Sequence, residues 1–597
     1  MMMFDEIFEK LTGNAPFPWQ KALYERFIGE RAGGIPASCD LPTGLGKTSV
    51  VAVWLTALAI HPDRIPRRLV YVVNRRTVVD QTTAEVANYR KALNSESGLA
   101  DIRKALAELC AFPLNNDETS SPLALSTLRG QFADNREWSA DPTRPAVIVG
   151  TVDMIGSRLL FSGYGVGFKS KPLHAGFLGQ NVLLVHDEAH LEPAFQELIE
   201  AIEEQQRDHE ADVPWRKLRV MELSATSRGT GDVFSLTNID RANSEVVKRI
   251  ESKKRLVLHK LEDEKKLADS IVRLAQGEHT KDRAVLVFVR KVDDVEKIVN
   301  LLPKGTAQQL TGTLRGLERD RMADPRSEDG CPIFARFLKP PKPDAPESDQ
   351  WKVKPQSGTV YLVCTSAGEV GVNISADHMV CDLSTFESMA QRFGRVNRFG
   401  DCNDTEIHIV HPAKFEENDI ETRRANTLVI IQNLNGDGSP KALGGVPLDV
   451  RLTAFASEPT ILPTAGILFD TWALTTIKGK LPGRPPVEPY LHGIEDNQAS
   501  ETLFAWREEV VLMTGKIGAD DIEELLDQAR LKPHELLRVT TYGKGHAYNQ
   551  LQKIAERTPE LPVWIIEPDG ALLTDNTISD LVVKRGADYT VCSRRGR

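Results

Sequence analysis

Short apolar runs recur along the first two thirds of the chain, at Ile35–Leu41, Arg68–Val73, Ala146–Gly150, Asn181–His186 and Leu218–Leu223. A second series follows at Ala284–Val289, Ala307–Thr311, Gly358–Cys364 and Met379–Asp382. Each is short, apolar at consecutive positions and bounded by polar or glycine residues, which reads as a buried strand. Between them the pattern predicts helices. Residues 1–30 read as helical, Ser49–Ile60 as a buried helix stopped by His61-Pro62, a further helix begins near Val78, and Val292–Leu302 is another. Strands alternating with helices predict an α/β chain. Residues 90–145 read as an insertion with an exposed loop at Asn115–Pro122, and the Pro- and charge-rich stretch 321–357 as a second, exposed insertion. Beyond about residue 413 helical stretches alternate with Pro/Gly-rich ones. There Leu481–Gly493 reads as extended and Val563–Ile566 as a strand, and no fold follows from the pattern.

Chemistry concentrates where these strands end. The first runs into Leu41-Pro42-Thr43-Gly44-Leu45-Gly46-Lys47-Thr48, with Ser49 opening the helix. Strand, glycine loop and helix are the context of a phosphate-binding loop. Its N–H groups and the helix N-terminus cradle phosphate oxygens, Lys47 reaches the terminal phosphates and the Thr48 hydroxyl holds Mg²⁺. Leu41 stands where the general pattern has its first glycine, and the bland alternative is an ordinary Gly-rich turn. Upstream, Gln20 carries the donor and acceptor that an adenine edge requires, and Phe17 offers a stacking ring. The alternative there is a core aromatic cluster at a helix start.

The strand at Asn181–His186 delivers Asp187-Glu188-Ala189-His190. Beyond a phosphate loop, two such carboxylates have a use: Asp187 for Mg²⁺ and Glu188 to orient and deprotonate water. His186 and His190 imitate a zinc-protease spacing, but a strand end and an Asp in second place do not fit that motif. Arg75, Thr151, Asp153, Thr365 and Ser366 follow strand ends, where basic and hydroxyl groups grip phosphodiester oxygens or merely form solvated turns. Ser224 and Thr226 lie after the next strand as a bridge toward the second unit, or as a simple ST-turn. Gln391-Arg392-Phe393-Gly394-Arg395-Val396-Asn397-Arg398 reads either as a salt-bridged surface helix or as an arginine-finger segment facing a γ-phosphate.

Composition narrows the setting. The chain has 597 residues, 74 basic against 84 acidic, for a net charge of −10. That balance argues against passive coating of DNA and leaves room for a local basic groove. The seven cysteines are scattered without C-x-x-C spacing, so neither a zinc site nor a disulfide framework is expected. No signal peptide or long uncharged apolar run is read, so a cytoplasmic protein with no membrane partner is expected.

Taken in order across residues 17–400, these segments resemble the motif series of the superfamily-2 helicases of DExH type. The resemblance implies two tandem RecA-like P-loop domains, residues 1–245 and 246–412, each a parallel sheet with flanking helices, plus a mixed C-terminal accessory region, 413–597. It implies ATP and Mg²⁺ as cofactors, with catalytic roles for Lys47, Asp187, Glu188, Gln391, Arg395 and Arg398. It implies nucleotide contacts from Phe17, Gln20 and Thr43 to Ser49, and coupling roles for His190, Ser224, Thr226, Gly371 and Asn373. Asn373 stands where many members have Asp beside the ribose.

Asn397, where many relatives have Gly, makes the segment similar to the helicase of type I CRISPR interference, recruited by the Cascade surveillance complex. Glu421-Thr422-Arg423-Arg424, Ser439-Pro440 and Leu481–Pro486 are similar to its subtype I-G (formerly I-U) form. Single-stranded DNA, 3′-to-5′ movement and a Cascade partner are thereby implied; the rivals are a DEAH-type RNA helicase and a non-enzymatic adaptor. Relatives carry an HD nuclease, but here the one His-Asp dipeptide is His186-Asp187. His492, His534 and His546 read as solvated loop residues, so the nuclease is expected from a separate protein or a domain removed from this chain.

Overall fold

Consecutive apolar positions become strands buried on both faces. The computed structural model describes residues 3–591 apart from 30–33, 75, 114–119, 129–136, 164–165, 209–216, 225–231, 313, 315, 342, 344–346, 348–349, 370–372, 478–482, 495–500, 517, 519–520, 523–524, 527–530, 532–534, 541–546, 567–571 and 586–587. Strands β1 (Ser38–Asp40), β2 (Arg68–Val73), β3 (Ala124–Leu128), β4 (Ala146–Thr151), β5 (Val182–Asp187), β6 (Leu218–Ser224) and β7 (Val233–Ser235) form one sheet. Their order is β3-β4-β2-β5-β6-β1-β7, and every pairing is parallel. A second parallel sheet contains β8 (Arg255–Leu261), β9 (Ala284–Phe288), β10 (Ala307–Leu310), β11 (Val360–Cys364), β12 (His378–Asp382) and β13 (Glu406–Pro412), in the order β10-β11-β9-β12-β13-β8. The architecture is thus two parallel α/β sheets flanked by helices, as tandem RecA-like domains require. Parallel pairing needs crossover connections, and the crossover helices cover both faces. The helix Val50–Ile60 is apolar all round because it is buried all round, with Trp54 Nε1 donating to the Pro66 carbonyl at 2.8 Å.

Some sequence expectations change. The stretch predicted as an insertion at 90–145 supplies β3, the edge strand of the first sheet. The stretch predicted as an exposed insertion at 321–357 buries Ile333, Phe334, Phe337 and Val353, and the Phe337 carbonyl accepts from Ser375 N–H at 2.8 Å. Leu481–Gly493 does not run wholly extended, since Glu488–His492 is helical. Asn115–Asn116 and Asp117–Thr119, within the predicted loop, lie outside the described residues.

The C-terminal third divides. Helices Gly466–Ala473 and Glu488–His492 lay Trp472, Val487 and Leu491 into the core under the first sheet, against Met154, Ile155, Phe195 and Leu198. Gly156 permits this approach, because a Cβ there would stand 2.4 Å from Leu491 Cδ2. Residues 311–331 and 496–597 form a separate compact unit. In it β14 (Glu501–Phe504) pairs with β15 (Leu537–Thr540), β16 (Pro562–Ile566) with β17 (Leu572–Thr577), and β18 (Val582–Arg585) with β19 (Asp588–Val591), each antiparallel. Among the described residues no helix is long and apolar enough to cross a membrane, and the described cysteines are unpaired.

His492 is no solvated loop residue; His534 and His546 lie outside the described residues. Its Nε2 meets Asp153 Oδ1 at 2.7 Å and its Nδ1 meets Glu192 Oε2 at 3.1 Å, fixing the last helix to the first sheet's helices. Burial opposes its charge, but the two carboxylates outweigh burial and push the imidazole up to about 10. The folded value exceeds the unfolded one, so the clamp stabilises fully below about pH 6.5. Its contribution is lost as pH rises through the folded value of about 10. His492→Gln is therefore expected to lower Tm more at about pH 6 than at about pH 10. Equal shifts at both would mean that the ring acts by packing alone.

Candidate active site

The loop after β1 turns through two glycines, Gly44 at φ +90° and Gly46 at φ +72°, in the left-handed region that side chains avoid. It then enters the 3-10 turn Lys47–Ser49 and the helix Val50–Ile60, so backbone N–H groups converge at a helix start. Gln20 is buried and braces this turn: Nε2 donates to Ser49 Oγ at 2.6 Å and Oε1 accepts from Phe17 N–H at 2.6 Å. Its amide keeps one N–H and one lone pair for a base.

Strand β6 separates β1 from β5, and both neighbours are tied to it: Leu41 N–H donates to the Ser224 carbonyl at 3.0 Å, Glu188 N–H to Leu223 at 2.8 Å. This brings the phosphate loop and the acidic strand end together. Lys47 Nζ donates to Glu188 Oε1 at 3.0 Å, and Gln391 Nε2, from the second sheet's domain, to Glu188 Oε2 at 3.1 Å. His190 Nδ1 lies 3.6 Å from the same Oε2 and 3.2 Å from Ser224 Oγ. Glu188 itself sits at φ +53°, strain that turns its carboxylate into the cleft. Burial disfavours its charge, but Lys47 and then His190 outweigh burial and hold it below the usual carboxylate range. Burial, then the Glu188 charge, push Asp187 upward.

Tyr71, which the sequence did not mark, orders this carboxylate. Its hydroxyl donates to Asp187 Oδ2 at 2.9 Å and also meets the Thr48 side chain. Asp187 Oδ1 is buried with no hydrogen-bond partner among the described residues. A buried carboxylate oxygen left open beside a hydroxyl suits a hard divalent cation, so these residues fit Mg²⁺.

The segment Gln391–Arg398 splits by role. Arg392 is fully buried, bonded to Glu369 Oε1 at 2.8 Å and Asp382 Oδ1 at 3.1 Å, and holds the interior of its own domain. Arg395 donates from Nε and Nη2 to the Glu369 carbonyl at 2.9 and 2.7 Å. Burial, then Arg395 and Arg249, push the Arg398 guanidinium down to about 9, against the pull of Glu188. It stays charged at neutral pH and lies within electrostatic reach of Glu188. Asn397 sits at φ +43°, which explains why glycine serves elsewhere; its side chain bonds the Lys253 and Cys402 carbonyls at 3.0 and 2.7 Å.

Two basic residues were also missed. Arg249 donates to the Gly44 carbonyl at 2.8 Å and lies over the Phe17 ring at 5.0 Å. Lys254 donates to the Phe393 carbonyl at 2.8 Å, and burial followed by Arg398 pushes it down to about 7. Both precede the second sheet and carry no local motif, so nothing in the sequence marks them.

A Cβ on Gly394 would stand 2.7 Å from Thr43 Oγ1, across the cleft. Gly394→Ala is expected to wedge the two domains apart and lower ATP turnover by about 10- to 100-fold, with Tm little changed. Steady-state hydrolysis checks this; normal turnover would mean that the close approach is not used in catalysis.

The other candidates scatter. Thr151 and Thr365 lie at the C-terminal ends of β4 and β11, the side of each sheet where the cleft lies, and both are buried. Ser366 and Asn373 are exposed, and Asp153 is engaged by His492. Arg75, Thr226 and Gly371 lie outside the described residues. His186 Nδ1 bonds Gln196 Oε1 at 2.8 Å, and no group of three candidate metal ligands forms around it among the described residues.

Residues 14–228 match the family described as "Type III restriction enzyme, res subunit". Residues 281–401 match "CRISPR-associated nuclease/helicase Cas3, C-terminal". Both spans are superfamily-2 helicase-family domains. With these domains the chain is an ATP-hydrolysing helicase enzyme, and residues 281–401 are Cas3-like. No curated protein matches the sequence. Among solved structures the helicase is similar to T. fusca Cas3 with AMPPNP at 14% identity and TM-score 0.48, covering 75% of this chain and 53% of that one. It is similar to S. cerevisiae Dbp5 bound to RNA and ADP BeF3 at 17% identity and TM-score 0.44, covering 76% and 100%. Mycobacterium smegmatis Lhr bound to ssDNA and AMP-PNP follows at 14% identity and TM-score 0.44, covering 77% and 51%. The chain spans about half the length of the Cas3 and Lhr chains.

Proposed function

We propose that this helicase is an ATP-driven translocase on single-stranded DNA that serves type I CRISPR interference. It moves 3′-to-5′ and unwinds target DNA supplied by a Cascade-type surveillance complex, in the cytoplasm, for degradation by a nuclease. The observation that carries the motor reading is Glu188, bonded at once to Lys47 at 3.0 Å and, across the cleft, to Gln391 at 3.1 Å. The CRISPR assignment draws on the Cas3-type match, whose span includes Gln391 to Arg398.

In this reading Lys47 exchanges its Glu188 partner for the β- and γ-phosphates of ATP. Thr48 and Asp187 would hold Mg²⁺, which when bound would neutralise charge developing on the phosphates. Tyr71 keeps Asp187 turned toward Thr48. Glu188, relieved of Lys47, accepts a proton from the attacking water. Arg395 and Arg398 contribute positive charge across the cleft once the domains close. Gln20 and Phe17 receive the base, His190, Ser224 and Asn373 couple the two domains, and Gln391 serves catalysis by holding Glu188 from across the cleft. Thr151, Thr365, Ser366 and Arg75 contact the phosphodiester backbone, and closure steps the strand along them.

The test is ATP hydrolysis with single-stranded DNA, single-stranded RNA or neither. Stimulation by DNA supports the proposal. Stimulation by RNA alone would make the chain a DEAH-type RNA helicase, and no hydrolysis under any condition would favour an adaptor.

A further inference from the structure

Away from the nucleotide cleft, one face of the second sheet gathers histidines. In parallel register, His408 of β13 lies beside Val257 of β8 and Val380 of β12. Side chains two residues apart share a face, so Glu406, His408, His259 and His378 all project to one side. The helix Leu267–Ala275 covers that side, and His279, in the turn after it, meets the group. The His279 and His408 rings stack at 4.6 Å, and the His259 and His408 rings at 5.0 Å.

We propose that His279, His408 and Glu406 form a binding site for a divalent transition metal of the Zn²⁺ class. One ligand atom from each lies within 4.8 Å of the others. Donors around a shared Zn²⁺ stand roughly 3.3–3.5 Å apart, so closure needs side-chain movements of about an ångström. His279 Nε2 is buried and has no hydrogen-bond partner among the described residues. Its ring occupies space that only glycine leaves: a Cβ on Gly277 would stand 2.7 Å from the ring's Cε1 and Nδ1.

The surrounding bonds prepare the remaining two ligands. His408 Nε2 meets Glu406 Oε2 at 3.0 Å, so the proton between them is the one the metal replaces. His408 Nδ1 meets His259 Nε2 at 2.8 Å. His259 thus accepts the relocated proton on the far nitrogen and orients the ring, as partners of metal-bound histidines commonly do. Arg255 holds Glu406 Oε1 and leaves Oε2 for the ion. His378 is not a ligand: its Nδ1 accepts Glu406 N–H at 3.2 Å, which puts its own proton on Nε2. Two histidines and one carboxylate leave coordination positions open for water or a further ligand, and they suit Zn²⁺, Co²⁺ or Ni²⁺ better than Mg²⁺. The bound ion would pin the sheet edge β13–β8 to the turn after the covering helix. This site does not depend on the proposed function, because none of its residues belongs to the cleft.

The test uses the full chain, stripped with a chelator and kept in excess Mg²⁺ so that the Asp187 site does not compete. Zn²⁺ or Co²⁺ is titrated, and bound metal is measured after desalting, alongside Tm and the visible absorption of Co²⁺. Roughly one equivalent, a raised Tm and a Co²⁺ band are expected. His408→Ala and Glu406→Gln each lower affinity at least about tenfold. Gly277→Ala, which removes no ligand, does the same by displacing the His279 ring; His279→Gln provides a second variant with little risk to folding. No bound metal in the parent chain would overturn the assignment, as would equal binding by His279→Gln and the parent.

Discussion

Glu188→Gln is expected to lower ATP turnover by about 10²- to 10⁴-fold while ATP affinity is kept, the loss typical of a missing general base. Lys47 Nζ lies 3.0 Å from Glu188 Oε1. That carboxylate therefore competes with phosphate for the lysine. A neutral amide still accepts the bond but gives up the charge, so nucleotide binding does not suffer. Lys47→Ala loses the opposite property, affinity, because its ammonium is the group the phosphates require. Single-turnover hydrolysis beside equilibrium nucleotide binding separates the two. Undiminished turnover in Glu188→Gln would remove the base assignment.

Arg398→Ala is expected to cost about 10³-fold or more in kcat with little change in nucleotide affinity, the signature of an arginine finger. Its guanidinium is held among Arg395, Arg249 and Glu188, and burial and its basic neighbours disfavour its charge in this arrangement. A developing negative charge relieves that cost, so the side chain favours the transition state over the ground state. Arg392→Ala should differ in kind. Arg392 bonds Glu369 and Asp382 in the interior, so its loss removes the one guanidinium that joins the two buried carboxylates, leaves Glu369 with Ser388 and Asp382 with Arg290, and lowers Tm. A loss of affinity at normal kcat for Arg398→Ala would make it a binding residue instead.

The sheets were legible where burial is complete. β2, β4, β5, β9, β11 and β12 are central, covered on both faces, and therefore apolar through their middles; β6 is central too and carries Arg219 and Glu222 between its apolar residues. β3 and β7 lie at an edge and are short; β8 is also an edge strand. β13 reads Glu406-Ile407-His408-Ile409-Val410-His411-Pro412 because one of its faces carries the histidine group, and that polarity masked it. In the cleft, the phosphate loop and the Asp187-Glu188 pair are local in sequence and were readable from spacing. Tyr71, Arg249 and Lys254 act through distant partners: Tyr71 through Asp187, Arg249 through Gly44, Lys254 through Phe393. Only the fold makes those pairs neighbours. Asp153 and His492 show the converse error, since each looks like a solvent or ligand contact in sequence and the two are bonded to one another.

The most direct measurement is strand displacement on duplexes with a single-stranded DNA tail, comparing 3′ tails with 5′ tails, with ATP and without. ATP-dependent unwinding of the 3′-tailed duplex, abolished by Glu188→Gln, is the expected result. Unwinding that prefers the 5′ tail, or that proceeds equally without ATP, would contradict a 3′-to-5′ DNA motor driven by this cleft.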